Sequence, residues 1–225
     1  MDNSRIGAES EYYGHIRHEL LRLAKPNAQR VLEIGCGLGN NLAWAKQNLG
    51  SKFCVGVELV PKIAEEAKRS GKVDEIYLGD IESLELPFAP HSFDLVIASH
   101  VLEHLKDPWA ALGHIKSLLT PTGQLLGSLP NVRNLKVSVP LLFAGTWTYE
   151  DEGILDWTHT KFFTKQTIRD LLTESGFSVN VLSPEFGGKS RLANTLTFGT
   201  FQNLLCFTYN FSASPSGPSE HPAQN

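Results

Sequence analysis

The chain has 225 residues, ample for one α/β domain with a sizeable core and too short for two large ones. Its formal net charge of -4 supplies no general attraction to nucleic acid or to an anionic membrane. The three cysteines, Cys36, Cys54 and Cys206, have no paired or metal-type spacing, so no disulfide framework and no metal are expected, and a reducing, cytoplasmic setting is. No stretch reads as a signal peptide, and the longest apolar run, residues 137–144, is far too short to span a bilayer.

In chain order, residues 12–24 read as a leading helix with Ile16, Leu20 and Leu23 on one face, ended by Pro26. Val31, Leu32, Glu33 and Ile34 form a first strand that runs into Gly35, Gly37 and Gly39. A buried strand ending in such a loop and opening a helix lets a ligand lie against bare backbone, with the first N–H groups of the helix, around residues 38–41, aimed at a negative group. Residues 53–59 form a second strand ending in Glu58 and Leu59, and Pro61 begins a charged helix that Gly71 stops. Residues 75–88 carry Asp80 at the end of a third strand. Residues 93–108 hold a fourth strand, a loop, and the helix start Asp107-Pro108. Trp109, Leu112, Ile115 and Leu119 make the buried stripe of that helix, and Pro121 with Gly123 turns the chain into a fifth strand. Thr164 caps a helix with Ile168, Leu171 and Leu172 facing inward; residues 177–182 form a sixth strand, and the alternation of Phe207, Tyr209 and Phe211 a seventh. Residues 131–163 break the pattern, being too long for a simple connection and rich in aromatics, as functional segments often are. Residues 212–225, rich in Ser and Pro, read as a disordered tail.

The glycines read G-x-G-x-G with Glu33 two positions before the first, whereas the dinucleotide fingerprint G-x-G-x-x-G would place its third glycine at Asn40. This loop, with Glu58 just over twenty residues on, Asp80, the segment 93–108 and the turn and strand at 118–131, resembles the motif series of class I S-adenosylmethionine-dependent methyltransferases over about residues 12–183. Two departures stand out: Thr122 replaces the first glycine of a usual pair, and Val60 precedes Pro61 where serine is more usual. The resemblance implies an α/β, Rossmann-like, doubly wound sheet of seven strands, mostly parallel with the last antiparallel beside the sixth. It implies one domain over residues 1–211, with the insertion at 131–163 forming part of the acceptor pocket or its lid.

The resemblance also assigns S-adenosyl-L-methionine as cofactor. Glu58, followed by Leu59, is placed to accept two hydrogen bonds from the ribose diol. Asp80 can accept from the adenine amino group beside the Ile81 N–H, or else cap a turn. Glu33 orients the loop or the methionine ammonium, unless it only bonds backbone amides. Gly35, Cys36, Gly37 and Gly39 contribute backbone, while Ser99 and His100 contact the methionine portion. Tyr12, Tyr13 and Arg17 match a helix that closes over the cofactor in related enzymes.

The chemistry is a direct displacement at the methyl carbon, dominated by alignment and water exclusion. His104 is the first candidate for the base a hydroxyl acceptor needs, with Glu103 as its neighbour. His159 is the second candidate, and Asp156 could orient it. The segment LDWTHTKFFT resembles a stretch in methyltransferases that sit beside glycosyltransferases, so an oxygen of a sugar or related metabolite is the expected acceptor. No nucleic acid and no stable membrane insertion are expected as partners, and a homodimer is allowed. The alternative is a catalytically silent module with this fold that acts through a partner; a nicotinamide oxidoreductase is disfavoured by Asn40.

Overall fold

The computed structural model describes residues 13–217. Seven strands form one sheet in the order β3-β2-β1-β4-β5-β7-β6. They are β1 (Arg30–Ile34), β2 (Phe53–Glu58), β3 (Glu75–Leu78), β4 (Phe93–Ser99), β5 (Leu119–Pro130), β6 (Phe177–Glu185) and β7 (Thr208–Pro215). The first five pair in parallel, and β7 lies antiparallel between β5 and β6. The helices are α1 (His18–Leu21), α2 (Asn40–Asn48), α3 (Pro61–Arg69), α4 (Pro108–Leu118), α5 (Leu135–Ala144), α6 (Lys165–Glu174), α7 (Gly188–Leu196) and α8 (Gln202–Leu205).

Successive side chains of a strand point to opposite faces, and both faces of this sheet are covered. Leu32, Ile34, Val96 and Ala98 pack on one side with Leu112 and Ile115 of α4 and Ile168 and Leu171 of α6. Val31, Leu95 and Ile97 pack on the other with Leu20 and Leu21 of α1 and Leu42 and Ala45 of α2. β1 pairs with β2 on one edge and β4 on the other, so the strand order reverses there. In open α/β sheets a crevice opens beyond the carboxyl ends of the strands at such a switch point.

Most local expectations hold. Asp107 Oδ1 accepts from the Ala110 N–H at 3.0 Å, Pro108 takes the first turn of α4, and Thr164 caps α6 in a capping box. Four expectations need correction. The leading helix is interrupted: residues 13–14 and α1 are helical, with residues 15–17 outside any helix, where the Arg17 N–H is committed to Asn41 of α2. Trp109 lies outside the buried stripe, 42% exposed, with its indole N–H donating to Glu174. The turn at Pro121 and Gly123 is a bulge within β5: Phe93 pairs with Leu119, but Leu95 pairs with Gln124. Residues 212–215 are strand, because β7 finds ladder partners on both sides and buries Phe211 and Ala213; residues 218–225 lie outside the described ones. Helices α7 and α8 have no counterpart in the sequence reading.

The junction of β5 and β7 gives a direct test. Gly127 pairs with Phe211, and a Cβ at Gly127 would press on the Phe211 ring and on the Ala98 carbonyl oxygen. Gly127→Ala should cost about 1–3 kcal/mol in urea denaturation, and Phe211→Leu in the same chain should recover part of it. Independent, additive losses would refute that packing.

Candidate active site

Gly35, Gly37 and Gly39 have φ of +67°, +52° and +74°, so the loop after β1 takes a left-handed path that side chains resist. The Gly35 and Cys36 N–H groups donate to the Val57 carbonyl at 2.9 and 3.0 Å, and the Gly37 N–H donates to Glu58 Oε2 at 2.9 Å. From the other side the loop meets the N-terminal segment. The Leu38 N–H donates to the Tyr13 carbonyl at 3.0 Å, and a Cβ on Gly37 would strike that carbonyl. Asn40 Nδ2 donates to the Gly14 carbonyl at 2.6 Å, and the Arg17 N–H donates to Asn41 Oδ1 at 2.9 Å. Asn40, which stands where a dinucleotide fingerprint needs glycine, is an anchor for this segment. Tyr12 lies outside the described residues.

The strand-end acids differ in how they are satisfied. Glu58, 5% exposed, accepts from Gly37 through Oε2 and from the Leu59 and Val60 N–H groups through Oε1, each at 2.9 Å. Three of about four lone-pair directions are therefore used, leaving one on Oε2. Glu33, 1% exposed, accepts from Asn41 Nδ2 at 2.7 Å through Oε1, while Oε2 has no partner among the described residues. Burial pushes its carboxyl up to about 8, against the lowering effect of the Asn41 amide and of Arg17. Asp80 is exposed and accepts from the Glu82 N–H at 3.0 Å, the turn-forming role, while Ile81 is buried and Leu59 exposed beside the same edge. Cys36 is buried, and desolvation, with Glu33 and Glu58 nearby, drives its thiol well above the ordinary value. Such a thiol is no nucleophile.

Beyond β4 a second group assembles. Ser99 is half-buried with its hydroxyl 3.4 Å from that of Ser128. His100 sits at φ +54°, its N–H donating to the Ser128 carbonyl at 3.1 Å, a strained placement of the kind that clusters at functional sites. His100 Nδ1 lies 3.0 Å from Oε1 of Glu103, which is fully buried. The Glu103 carbonyl accepts from the Thr160 and Lys161 N–H groups at 2.9 and 3.0 Å, and the Thr160 hydroxyl donates to the Leu105 carbonyl at 2.7 Å. These bonds strap the end of the insertion onto the loop after β4. They bring the His104 and His159 rings edge to face, 4.7 Å between centroids.

Asp156 reaches His104 through Thr158, and lies near His159 with no side-chain hydrogen bond to it among the described residues. Its Oδ1 accepts from the Thr158 hydroxyl at 2.6 Å, and that hydroxyl is 2.9 Å from His104 Nδ1. Burial raises the Asp156 carboxyl, yet the Thr158 hydroxyl and N–H, with His159 and His104 nearby, together hold it below its usual value. His159 Nδ1 instead meets the Ile154 carbonyl at 3.0 Å. Sequence reasoning missed Thr158; nothing in the linear sequence links it to His104, 54 residues away. His100, His104, Ile154, Asp156 and His159 border a cleft of about 1020 Å³ that also reaches Arg17, Lys136 and Glu150. Among the described residues, no helix is long and apolar enough to cross a membrane.

A doubly wound sheet with this strand order and a glycine loop at its switch point is the fold of S-adenosylmethionine-dependent methyltransferases. A structure from Mesorhizobium loti described as such superposes with a TM-score of 0.65 at 21% identity, covering 89% of this chain and 98% of that one. Another from Archaeoglobus fulgidus gives 0.61 at 21% identity, covering 91% and 97%. The chain belongs to the methyltransferase-domain family, whose model matches residues 8–181 and whose cofactor is S-adenosylmethionine. A ubiquinone biosynthesis O-methyltransferase of Neisseria meningitidis serogroup C is 27% identical over 157 residues, 67% of this chain and 64% of that protein. The aklanonic acid methyltransferase DauC of Streptomyces is 31% identical over 134 residues, 57% of this chain and 60% of that protein. The chain thus spans less than two thirds of the length of these relatives. The site fits the cofactor: the glycine loop leaves backbone bare, and the unpartnered Glu33 Oε2 offers a buried acceptor for a cationic group.

Two outcomes check this geometry. Gly37→Ala should weaken S-adenosylhomocysteine binding at least about tenfold in calorimetry, because the φ of +52° and the Tyr13 carbonyl both oppose a Cβ. Without cofactor, folded Glu33 keeps its proton up to about pH 8, whereas the unfolded carboxyl releases it near 4.5. The associated stability is complete below the unfolded value and is lost as pH rises through the folded one. The melting temperature of Glu33→Gln should therefore gain on the wild type from pH 5 to pH 8; a constant difference would contradict the raised value.

Proposed function

We propose that this chain transfers a methyl group from S-adenosylmethionine to an oxygen of a small-molecule acceptor bound in the cleft between His100 and the His104–His159 wall. The bound cofactor supplies an electrophilic methyl on a sulfonium. The chain's residues do the rest. Gly35 to Gly39 and Glu33 hold the amino-acid end, Glu58 receives the ribose through its remaining lone-pair direction, and the edge formed by Leu59, Asp80 and Ile81 receives the adenine. Ser99 and His100 border the methionine portion.

The observation that carries the reading is the chain Asp156–Thr158–His104, with hydrogen bonds of 2.6 and 2.9 Å. The Thr158 hydroxyl commits its proton to Asp156, so it can only accept from His104 Nδ1–H. That leaves His104 Nε2 with its lone pair. His159 reaches the same state, because the Ile154 carbonyl can only accept from its Nδ1–H. Two lone-pair nitrogens at the cleft wall suit an acceptor whose hydroxyl must be activated as it attacks.

A sugar-type acceptor is supported by the resemblance of residues 155–164 and by the stacked Tyr149 and Trp157 rings, 4.8 Å apart, which adjoin the cleft-lining Glu150 and Asp156 in sequence. The relatives named for ubiquinone biosynthesis and aklanonic acid widen the acceptor screen to those compounds. His104→Ala should lower turnover about 10²- to 10⁴-fold while S-adenosylhomocysteine affinity stays within twofold or so. Unchanged turnover would remove the wall from the reaction; no cofactor binding by the wild type would favour a silent module.

A further inference from the structure

The same wall holds more than two activated imidazoles. One ligating atom from each of Glu103, His104 and His159 lies within 4.8 Å of the others. Glu103 is fully buried, and its Oε2 has no hydrogen-bond partner among the described residues. A buried carboxylate oxygen left without a donor is costly, and nature keeps such atoms where something else satisfies them. His159 Nε2 stands 4.0 Å from Glu103 Oε1, too far for a good hydrogen bond and close enough to share a third atom.

We propose that Glu103, His104 and His159 bind a divalent transition-metal ion, of the Mn2+ or Zn2+ type, which takes the acceptor hydroxyl in an open coordination position. The inference rests on the methyl-transfer reading and says how that wall activates oxygen. It departs from the sequence expectation of no metal, since the three ligands come from two segments more than fifty residues apart.

The surroundings are those of a built metal site. Histidine ligands usually donate their second N–H to a carboxylate or a backbone carbonyl, which fixes the tautomer and turns the lone pair toward the ion. His159 does so to the Ile154 carbonyl at 3.0 Å, and His104 does so through Thr158 to Asp156. His100 Nδ1, 3.0 Å from Glu103 Oε1, steadies the carboxylate. Two imidazoles and one carboxylate favour a first-row transition ion over Mg2+, which prefers all-oxygen sets. Bound ligand atoms stand about 3 Å apart, so the trio draws in by an ångström or so around the ion. Three protein ligands leave at least one position open, and two or more if the ion takes five or six. The site therefore favours acceptors with two neighbouring oxygens, such as a vicinal diol or a catechol.

In the reaction the ion lowers the pKa of the hydroxyl, whose proton passes to solvent. The oxygen lone pair forms the new bond to the methyl carbon, and the electron pair of the broken carbon–sulfur bond stays on sulfur.

The test uses the full-length, untagged, chelator-stripped protein, titrated with Mn2+ and with Zn2+ by calorimetry, with Mn2+ also followed by electron paramagnetic resonance. S-adenosylhomocysteine binding is measured on the same samples. The expected result is one ion per chain, weakened about 10- to 100-fold by Thr158→Val, which leaves all three ligands in place, and lost in His159→Ala. Turnover should fall with chelator and return with the ion. No stoichiometric ion binding, or binding that neither variant alters, would overturn the proposal. Cofactor binding without ion binding would overturn this inference alone, leaving the imidazoles as the activating groups; absence of both would overturn the methyl-transfer reading as well.

Discussion

The Glu58 carboxylate organises the carboxyl ends of β1 and β2 by accepting three backbone N–H groups at once. Gly37 reaches it from the loop after β1, and Leu59 and Val60 reach it from the turn after β2. Two neighbouring strands are thereby locked at their carboxyl ends, and the loop is held in a left-handed path that only glycine takes cheaply. The N-terminal segment can dock only on a loop held this way, because the Tyr13 carbonyl sits where a side chain on Gly37 would be. A charge-assisted cluster buried at a switch point is stiff, and stiffness suits a reaction governed by alignment.

Three buried carboxylates lie at or just beyond the carboxyl ends of β1, β2 and β4, and their degree of satisfaction separates them. Glu58 has nearly all its acceptor capacity filled by the protein, so it acts first as a structural clasp. Glu33 and Glu103 each keep one oxygen without a partner among the described residues. Leaving a buried carboxylate half-satisfied is costly, and the two oxygens fall where the proposed function puts cationic groups: the amino-acid end of the cofactor and the proposed ion beside the acceptor. The bonds from Thr160 and Lys161 to the Glu103 carbonyl tie the insertion to this arrangement. The proposed acceptor wall and the proposed cofactor crevice thus share one loop, the five residues from His100 to His104.

The local physics of the chain was largely legible beforehand. Strand-to-loop transitions, the Asp107 and Thr164 caps, the helix opened by Pro61 and the alternation in β7 depend on neighbours a few residues away. The errors arose where distant partners override local preference. Trp109 follows the helical period of α4 but bonds Glu174 at the surface. Residues 212–215 have a tail-like composition but gain ladder partners from two strands. The link from Asp156 through Thr158 to His104 likewise joins distant segments that no spacing rule connects.

By itself the sequence determined the doubly wound sheet, the glycine loop and the acids at the strand ends, because each follows from periodicity, glycine's backbone freedom and short spacing. Only the tertiary structure decided which groups face one another across the crevice. The insertion must fold back onto the loop after β4 before His159 can meet His104 and Glu103. That approach is set by backbone bonds from Thr160 and Lys161 to Glu103, and sequence spacing carries no trace of it. Tautomers were decided there too, since a histidine's free lone pair depends on what its other nitrogen meets.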